Sequence, residues 1–413
     1  NFADIAWMIT ATIFVLMMTP GLSFFYGGMV RSKNVISTML QSFIAMGVIS
    51  VIWVVVGFSL AFGEDVGHFI GNPGTFFMFV NVGGATDKLL APTIPLALYA
   101  LFQMKFAIIT PSLITGSFAE RVRFSGYLVF MILFCIFVYC PLAHWTWHPD
   151  GFLRQMGVLD FAGGIVVHAS SGVAALAGAI FLGRRKESGQ PANIPFVLLG
   201  AAMLWLGWFG FNAGSSLAAN SIAVKAFLNT NTASATAMMT WVVFDCLRGR
   251  KPSAMGAAIG AVVGLVAITP SAGYVTVGES IFIALVVTVI CNMAVSWKNK
   301  KNSFDDALDV FPTHGVGGIV GTIMTGIFVY NATENITYWQ NLLNHIIAVV
   351  IVCGYTFIVT YALYWITDKM IPMRVSEKSE KIGLDMSQHD ERYGIETNRE
   401  LAEYFDHGVD TKS

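Results

Sequence analysis

Charged residues are scarce in this sequence, and their scarcity limits what the protein can be. Only 12% of the 413 residues are charged, whereas 55% are hydrophobic; an ordinary soluble domain contains roughly 25% charged residues. A soluble protein is therefore excluded. The net charge of −1 provides no concentrated basic surface for phosphate groups, so we do not expect nucleic acid to be a partner.

Cysteine and catalytic motifs are also scarce. The five cysteines are an odd number and all lie inside apolar stretches, so we interpret them as small packing residues and not as a disulfide framework. The apolar stretches contain no acid and base pair with a nucleophile or cofactor motif, so we expect neither an enzyme nor a cofactor or metal site. No Lys or Arg precedes the first apolar stretch, which is not the pattern of a secretory signal peptide.

The charges that do occur divide the chain into two parts. Residues 368–413 hold 18 of the 49 charged side chains, and this segment is too polar to span a membrane and too short for a catalytic domain. We predict a transmembrane domain over residues 1–367 and a cytoplasmic regulatory tail over residues 368–413.

Long apolar stretches fill the first part. A membrane-spanning helix needs about 20 mostly apolar residues, and eleven stretches approach or exceed this length. The predicted fold class is therefore an all-α integral membrane protein with eleven transmembrane helices. The stretches are 5–25, 36–62, 94–119, 126–144, 163–183, 195–214, 222–247, 254–268, 275–297, 310–330 and 341–367.

Lysine and arginine predict the orientation of these helices. The loops after stretches 1, 3, 5, 7 and 9 contain thirteen of these residues, whereas the loops after the even-numbered stretches contain three. Short loops rich in Lys and Arg stay in the cytoplasm. We predict an amino terminus outside the cell and a tail in the cytoplasm.

Two of the stretches begin alike, and each contains a histidine. Asp160-Phe-Ala-Gly-Gly-Ile-Val-Val-His168 begins the fifth, and Asp309-Val-Phe-Pro-Thr-His314 begins the tenth. Since five is odd, the two five-helix sets have opposite orientations, as in inverted-repeat transporters, whose pathway lies between the halves. We predict repeats over residues 5–183 and 195–330, followed by a last helix over 341–367.

His168 and His314 are functional candidates, because ionisable groups inside a membrane are costly and usually face a cavity. A hydrogen-bonded structural histidine is the alternative. Imidazole donates and accepts hydrogen bonds and titrates near neutrality, which suits the handling of protons or amines. Asp160 and Asp309 can each cap a helix, and Asp160 can also add negative potential below an outer vestibule.

Aromatic residues gather near the outer ends of the helices. Trp145, Trp147 and His148 precede the fifth stretch, and Trp208-Phe-Gly-Phe-Asn-Ala-Gly-Ser215 ends the sixth. Aromatic residues at this depth are ordinarily interfacial, but their faces also attract a desolvated cation by roughly 2 kcal/mol. No stretch carries the acidic ladder or carbonyl filter of an alkali-ion channel. A cation that can lose a proton crosses an apolar pore more easily, as a neutral molecule, so ammonium and small amines fit this lining.

Several long segments besides the two histidine segments carry a resemblance to a known family. They are Pro20-Gly-Leu-Ser-Phe-Phe-Tyr-Gly-Gly28, Phe102-Gln-Met-Lys-Phe106-Ala-Ile-Ile-Thr-Pro, Ala119-Glu-Arg121, Gly207-Trp-Phe-Gly-Phe-Asn-Ala-Gly-Ser215 and Gly383-Leu-Asp-Met-Ser-Gln-His389. With these segments the sequence resembles the Amt/Mep/Rh ammonium transporter family, on its Amt branch, over nearly the whole chain.

The resemblance implies an eleven-helix homotrimer in the plasma membrane, with one pathway in each subunit. It implies ammonium capture, deprotonation, passage of ammonia and separate proton transfer, which together give electrogenic uptake; methylammonium is a further candidate substrate. A PII-type regulatory protein is the implied partner at the tail. By motif, the outer ammonium site is Trp147, Ser215, Phe106 and Asp160, the phenylalanine gate is Phe106 and Phe211, and the pore is lined by His168, His314 and Trp208.

Some features depart from the family pattern or leave alternatives open. Lys105 lies beside Phe106, and helical geometry predicts that it points away from the pathway. Trp145 competes with Trp147 for the outer site, and the residues after His389 match no pattern that we can name. An ammonium sensor with little flux and a passive channel for ammonia gas are the alternative functions.

Overall fold

The computed structural model describes residues 1–301, 303–329 and 336–394, and these residues are mostly helical. Eleven long helical segments follow one another in the described part of the chain, at the positions of the eleven predicted stretches. They are α1 (Phe2–Met29), α2 (Val35–Ile52 and Phe58–Phe62), α3 (Leu96–Ile114), α4 (Phe124–Phe134 and Cys140–Trp147), α5 (Ser170–Leu182), α6 (Ile194–Gly214), α7 (Ser221–Leu247), α8 (Ala254–Ile268), α9 (Val277–Lys301), α10 (Val316–Phe328) and α11 (Tyr338–Met370).

Four of these helices include a π-helical turn, which adds one residue to a helical turn and often occurs at functional sites. Two turns join the parts of α2 and α4, at Trp53–Gly57 and Cys135–Tyr139. The other two lead directly into α5 and α10, at Gly164–Ala169 and Phe311–Gly315. The second pair contains the two predicted pore histidines.

Eight helices in the described residues are long and apolar enough to cross a membrane. The helix α8 is apolar but has only 15 residues, and α10 has 13 beyond its π-helical turn. The predicted mostly helical fold with several membrane-length helices is therefore confirmed. Eleven crossings and the orientation of the chain remain predictions.

Four short strands lie between α2 and α3, where an all-α fold was expected. β1 (Asp65–Val66) pairs antiparallel with β2 (Ile70–Gly71), so that Asp65 lies opposite Gly71. β3 (Thr86–Asp87) pairs in the same way with β4 (Ala91–Pro95). Three of these strands have only two residues, too short for an alternating hydrophobic pattern. The fourth has five residues, but two of them are prolines, which argue against a strand, so the sequence carried no clear signal for either hairpin.

The loops after α1, α3, α5 and α9 meet at one end of the helices. The buried carboxylate of Glu120 accepts hydrogen bonds from Arg31 Nε at 3.1 Å and Arg185 Nη1 at 3.0 Å. Arg185 also donates through Nε and Nη2 to Asp305, both at 2.9 Å. Burial acts to raise the pKa of Asp305, but hydrogen bonds from Arg185 and the charges of Arg121 and Arg185 outweigh it and lower this pKa to about 2. These odd-numbered loops therefore share one side.

The tail docks on the same end of the helices. The Glu380 carboxylate accepts from the main-chain N–H of Lys186, in the loop after α5, at 2.6 Å, and the Asp385 carboxylate accepts from the N–H groups of Ile36 and Ser37 at 3.0 and 2.7 Å. The tail contains two short helices, α12 (Glu377–Ile382) and α13 (Leu384–His389). The helix α11 extends to Met370, so residues 368–370 of the predicted tail belong to this helix.

Some features expected from the sequence lie outside the described residues. They include the end of the tail, over residues 395–413, and two potential glycosylation sequons that begin at Asn331 and Asn335.

Candidate functional site

Three aromatic residues from three helices meet at one end of the candidate pathway. The rings of Phe106 in α3 and Phe211 in α6 are stacked, with centroids 4.2 Å apart and an interplanar angle of 24°. Trp147, at the end of α4, lies edge-on to Phe106 with centroids 5.8 Å apart. The structure therefore places Trp147 and Phe106, two of the four residues assigned to the outer site, beside one another and stacks the two residues assigned to the gate.

Trp147 and Trp145 have different surroundings. Trp145 is buried and donates its indole N–H to the main-chain carbonyl of Phe69 at 2.7 Å. It also packs against the Phe69 ring. Trp147 instead donates to the main-chain carbonyl of Asp160 at 3.0 Å. Trp147 is thus the tryptophan beside Phe106, which agrees with its assignment.

Asp160 caps the π-helical turn that carries His168. Its two carboxylate oxygens accept hydrogen bonds from the N–H groups of Gly163, Gly164, Ile165 and Val166, at 2.6 to 3.3 Å. Gly163 has a left-handed φ of 119°, which a glycine adopts readily. Because the carboxylate is occupied by four main-chain donors, it orients the turn and adds negative charge near Trp147.

Ser215 is half-buried at the end of α6. Its hydroxyl donates to the carbonyl of Phe211 at 2.8 Å. A hydroxyl oxygen that donates its one hydrogen keeps its acceptor lone pairs, so Ser215 can accept a hydrogen bond from a cation at this end of the pathway.

His168 and His314 form a buried pair below the phenylalanine stack. Their Nδ1 atoms are 3.2 Å apart and their ring centroids 5.4 Å apart. A hydrogen bond between these two nitrogens needs one to carry hydrogen and the other to be bare, so two neutral rings must be opposite tautomers. Among the described residues, His168 Nε2 has no hydrogen-bond partner in the structure.

Trp208 orients the first of these rings. It stacks on His168 with centroids 5.1 Å apart and an interplanar angle of 18°. Its indole N–H donates at 2.8 Å to the hydroxyl of Thr269, which itself donates to Leu265 in α8. Thr269 was not identified from the sequence, because a threonine within an apolar helix end resembles an ordinary packing residue.

The histidine pair faces a narrow cavity. Apart from the two histidines and Trp208, the lining is apolar. Lys105 is half-buried and does not line the cavity. The lining residues are Met18, Leu22, Phe25, Ile109, Leu113, His168, Leu204, Trp208, Phe211, Val262 and His314.

Close glycine contact brings the two histidine segments together. A Cβ atom on Gly172 would lie 2.1 Å from the main-chain nitrogen of Gly315, closer than any side chain could approach. The main chains of α5 and the turn before α10 therefore touch directly. This explains the glycines near His314 as packing residues, as expected for helices in membranes.

The structure corrects the aspartate assigned to the second repeat. The residue that caps the turn containing His314 is Asp306, whose carboxylate accepts from the N–H groups of Val310 and Phe311 at 3.1 and 2.7 Å. Asp309 instead forms an ion pair with Lys298 at 2.5 Å. Asp306 precedes His314 by eight residues, just as Asp160 precedes His168, and this spacing was the signal in the sequence.

Membrane-length helices around a buried cavity lined by histidines define a multi-pass membrane transporter. Residues 6–393 match the family described as the Ammonium Transporter Family. The ammonium transporter of Bacillus subtilis is 42% identical over 403 residues, which cover 95% of this chain and 98% of that protein. The chain therefore belongs to the ammonium transporter family, and the match extends past His389, where the sequence alone suggested no relationship.

Solved structures agree with this family. Candida albicans Mep2 has a TM-score of 0.84 and 34% identity, over 92% of this chain and 87% of that chain. A structure named Sensor Amt Protein has a TM-score of 0.87 and 30% identity, over 94% of this chain and 98% of that chain. Membership of the family implies ammonium or ammonia as the substrate, and these relatives are transporters or sensors, which is consistent with a non-enzyme.

Proposed function

We propose that this protein mediates electrogenic uptake of ammonium across the plasma membrane. Ammonium binds among Trp147, Phe106 and Ser215, under the influence of Asp160, and loses a proton near the stack formed with Phe211. Ammonia then passes the histidine pair while the proton crosses separately. In this proposal the chain has eleven transmembrane helices, an external amino terminus and a homotrimeric assembly with one pathway per subunit.

The cavity lining is the observation that carries this proposal. Apart from His168, His314 and Trp208, the residues around the cavity are apolar. Such a lining cannot replace the hydration shell of a permanent cation, and burying an unpaired charge is costly. Ammonia is neutral and can exchange hydrogen bonds with imidazole nitrogens, so the arrangement favours the deprotonated form of the substrate.

The outer residues support capture of a cation before that step. The Trp147 and Phe106 rings offer aromatic faces, which attract a desolvated cation. The Ser215 oxygen offers an acceptor, whereas the Asp160 carboxylate is occupied by main-chain N–H groups and acts through its charge. Together these groups recognise a small cation that also donates hydrogen bonds, as ammonium and methylammonium do.

Purified protein in liposomes tests this proposal. A rapid rise in external ammonium should evoke a saturable inward current, whereas a potassium jump and empty liposomes should evoke none. A rise of internal pH without current would replace the proposal with a passive ammonia channel.

An ammonium sensor is the second candidate function, because one of the similar solved structures is named Sensor Amt Protein. The match to this chain covers 98% of that structure's chain. The docked tail, with its contacts to α2 and to the loop after α5, offers a route from pathway to cytoplasm. Saturable ammonium binding without current or uptake would favour this function.

The tail in either case is proposed as the regulatory element, with a PII-type protein as its partner. Removal of residues 371–413 should abolish the response to such a partner. Unchanged uptake together with no partner response in the intact protein would leave the tail a structural element only.

A further inference from the structure

Both ring nitrogens of His144 contact hydrogen-bond acceptors. Nδ1 lies 3.0 Å from the carbonyl oxygen of Ala61, at the end of α2, and Nε2 lies 2.9 Å from a carboxylate oxygen of Asp65 in β1. The imidazole is completely buried, whereas the Asp65 side chain is 18% exposed. His144 belongs to α4 and lies one helical turn before Trp147.

These contacts require a proton that an ordinary neutral histidine does not have. A carbonyl oxygen only accepts, so Nδ1 must carry hydrogen, and a neutral ring would then present a bare Nε2 to a carboxylate. The Nε2 contact therefore needs a second hydrogen, so His144 and Asp65 together hold one more proton than a neutral imidazole and a carboxylate do. Burial acts to raise the pKa of Asp65, but hydrogen bonds from His144 and the His68 main chain, together with the histidine charges, lower it overall.

The ion pair fastens the β1–β2 loop, residues 64–72, to the end of α4. The same loop holds the next residue of the helix, because the carbonyl of Phe69 accepts the Trp145 indole N–H at 2.7 Å. Two consecutive side chains just before Trp147 are thus bound by one loop. Trp147 itself is held on its other side by the carbonyl of Asp160, at 3.0 Å.

Other titratable groups surround the pair without replacing it. His148 stacks on His144 with centroids 4.4 Å apart, and its Nδ1 accepts from the main-chain N–H of Asp150 at 3.1 Å. His68 is exposed, and its Nδ1 lies 2.7 Å from the Asp150 carbonyl and 3.4 Å from Asp65. Within the part of the chain that the structure describes, no cluster here has the arrangement of a metal site.

We propose that Asp65 and His144 are positioning residues for the outer ammonium site. The ion pair fixes the last turn of α4 through the β1–β2 loop and thereby holds Trp147 against Phe106. This inference rests on the proposed ammonium transport, because the function of Trp147 is the capture of substrate. Neither side chain of the pair touches the substrate.

Three variants separate positioning from charge. Asp65→Ala removes the contact from a partly exposed loop position, whereas Asp65→Asn can donate its amide N–H to the bare Nε2 of a neutral His144 and keep the contact without the charge. Asp87→Ala is the matched control, because Asp87 lies in the second hairpin of the same connection and its carboxylate accepts hydrogen bonds from the main chain of Leu89 and Leu90.

The ammonium concentration that gives half-maximal current in proteoliposomes is the readout. Asp65→Ala should raise it by about an order of magnitude, the lower range for loss of a group that orients a ligand-binding residue, while the maximal current changes little. Asp65→Asn and Asp87→Ala should stay close to the unaltered protein. An unchanged half-maximal concentration in Asp65→Ala, or an equal rise in Asp65→Asn, would overturn the inference.

Amide hydrogen exchange tests the positioning of α4 without relying on the proposed ammonium transport. If the unaltered protein carries no ammonium current, the proposed transport fails, and exchange at the amides of residues 145–148 decides the positioning of α4. Faster exchange in Asp65→Ala than in Asp87→Ala supports the pair as the fastening contact. Equal exchange in these two variants contradicts it.

Discussion

His168 and His314 face one another through their Nδ1 atoms, 3.2 Å apart, although 146 residues separate them in the chain. Each histidine lies in a capped π-helical turn, and α5 touches the second turn where Gly172 meets Gly315. Since one hydrogen serves both Nδ1 atoms, the two rings are coupled: a change in the tautomer of one requires a change in the other. The pair is therefore one polar element in an otherwise apolar lining.

The Trp208 to Thr269 hydrogen bond should be needed for the position of the pore tryptophan. Thr269→Val keeps the side-chain shape but leaves a buried indole N–H without its acceptor, which should reduce the free energy of unfolding by about 1 to 3 kcal/mol. Thermal unfolding of the purified protein measures this loss. Thr269→Ser retains the acceptor and is the matched control, and equal stability of the two variants would argue against the bond.

Substitution of Asp306, but not of Asp309, should weaken the cap of the π-helical turn that contains His314. Asp306→Asn leaves one acceptor oxygen for two main-chain donors, so the amides of Val310 and Phe311 should exchange hydrogen faster. Asp309→Asn should leave their exchange unchanged, because Asp309 contacts Lys298 instead. Hydrogen exchange followed by mass spectrometry measures both. Faster exchange in Asp309→Asn alone would show that Asp309, and not Asp306, caps the turn.

Docking of the tail should strengthen as the cytoplasmic pH falls. Burial raises the pKa of Asp385 to about 6, although the N–H groups of Ser37 and Ile36 act to lower it; the ordinary value is 3.8. Between these two values the docked tail holds a proton that the free tail lacks, so docking gains free energy as the pH falls through 6 and loses that gain above it.

Spin labels on the tail and on the loop after α5 can measure the docked fraction. Between pH 7.5 and about 5 it should rise more in the unaltered protein than in Asp385→Asn, because the His389 imidazole, whose pKa burial lowers in the docked tail, acts in the opposite direction in both. An equal pH dependence in the two proteins would contradict the assigned direction for Asp385.

The sequence predicted the positions of the helices well, for physical reasons. Apolar stretches of membrane length locate helices directly, and the structure has long helices at all eleven predicted positions in the described residues. Phe106, Trp147, Phe211 and the two histidines lie on different helices, but the resemblance to known transporters placed them in one pathway, and the structure brings them together.

The features that sequence reasoning missed depend on contacts between distant segments. Asp306 was overlooked because the apolar stretch begins after Asp309. The cap depends on the main-chain fold that brings the N–H groups of Val310 and Phe311 to the Asp306 carboxylate. Thr269 acts only through Trp208, which lies 61 residues away. The proton between Asp65 and His144 follows from two acceptors, the carbonyl of Ala61 at the end of α2 and the carboxylate of Asp65 in β1, and no local pattern around His144 shows them.

The ammonium-evoked current of His168→Ala/His314→Ala in proteoliposomes, compared with that of the unaltered protein, tests the central claim most directly. We expect a saturable ammonium current for the unaltered protein, and for the double variant either loss of that current or a new current with potassium. A double variant that carries the same ammonium current with unchanged selectivity would contradict a pathway between these two histidines.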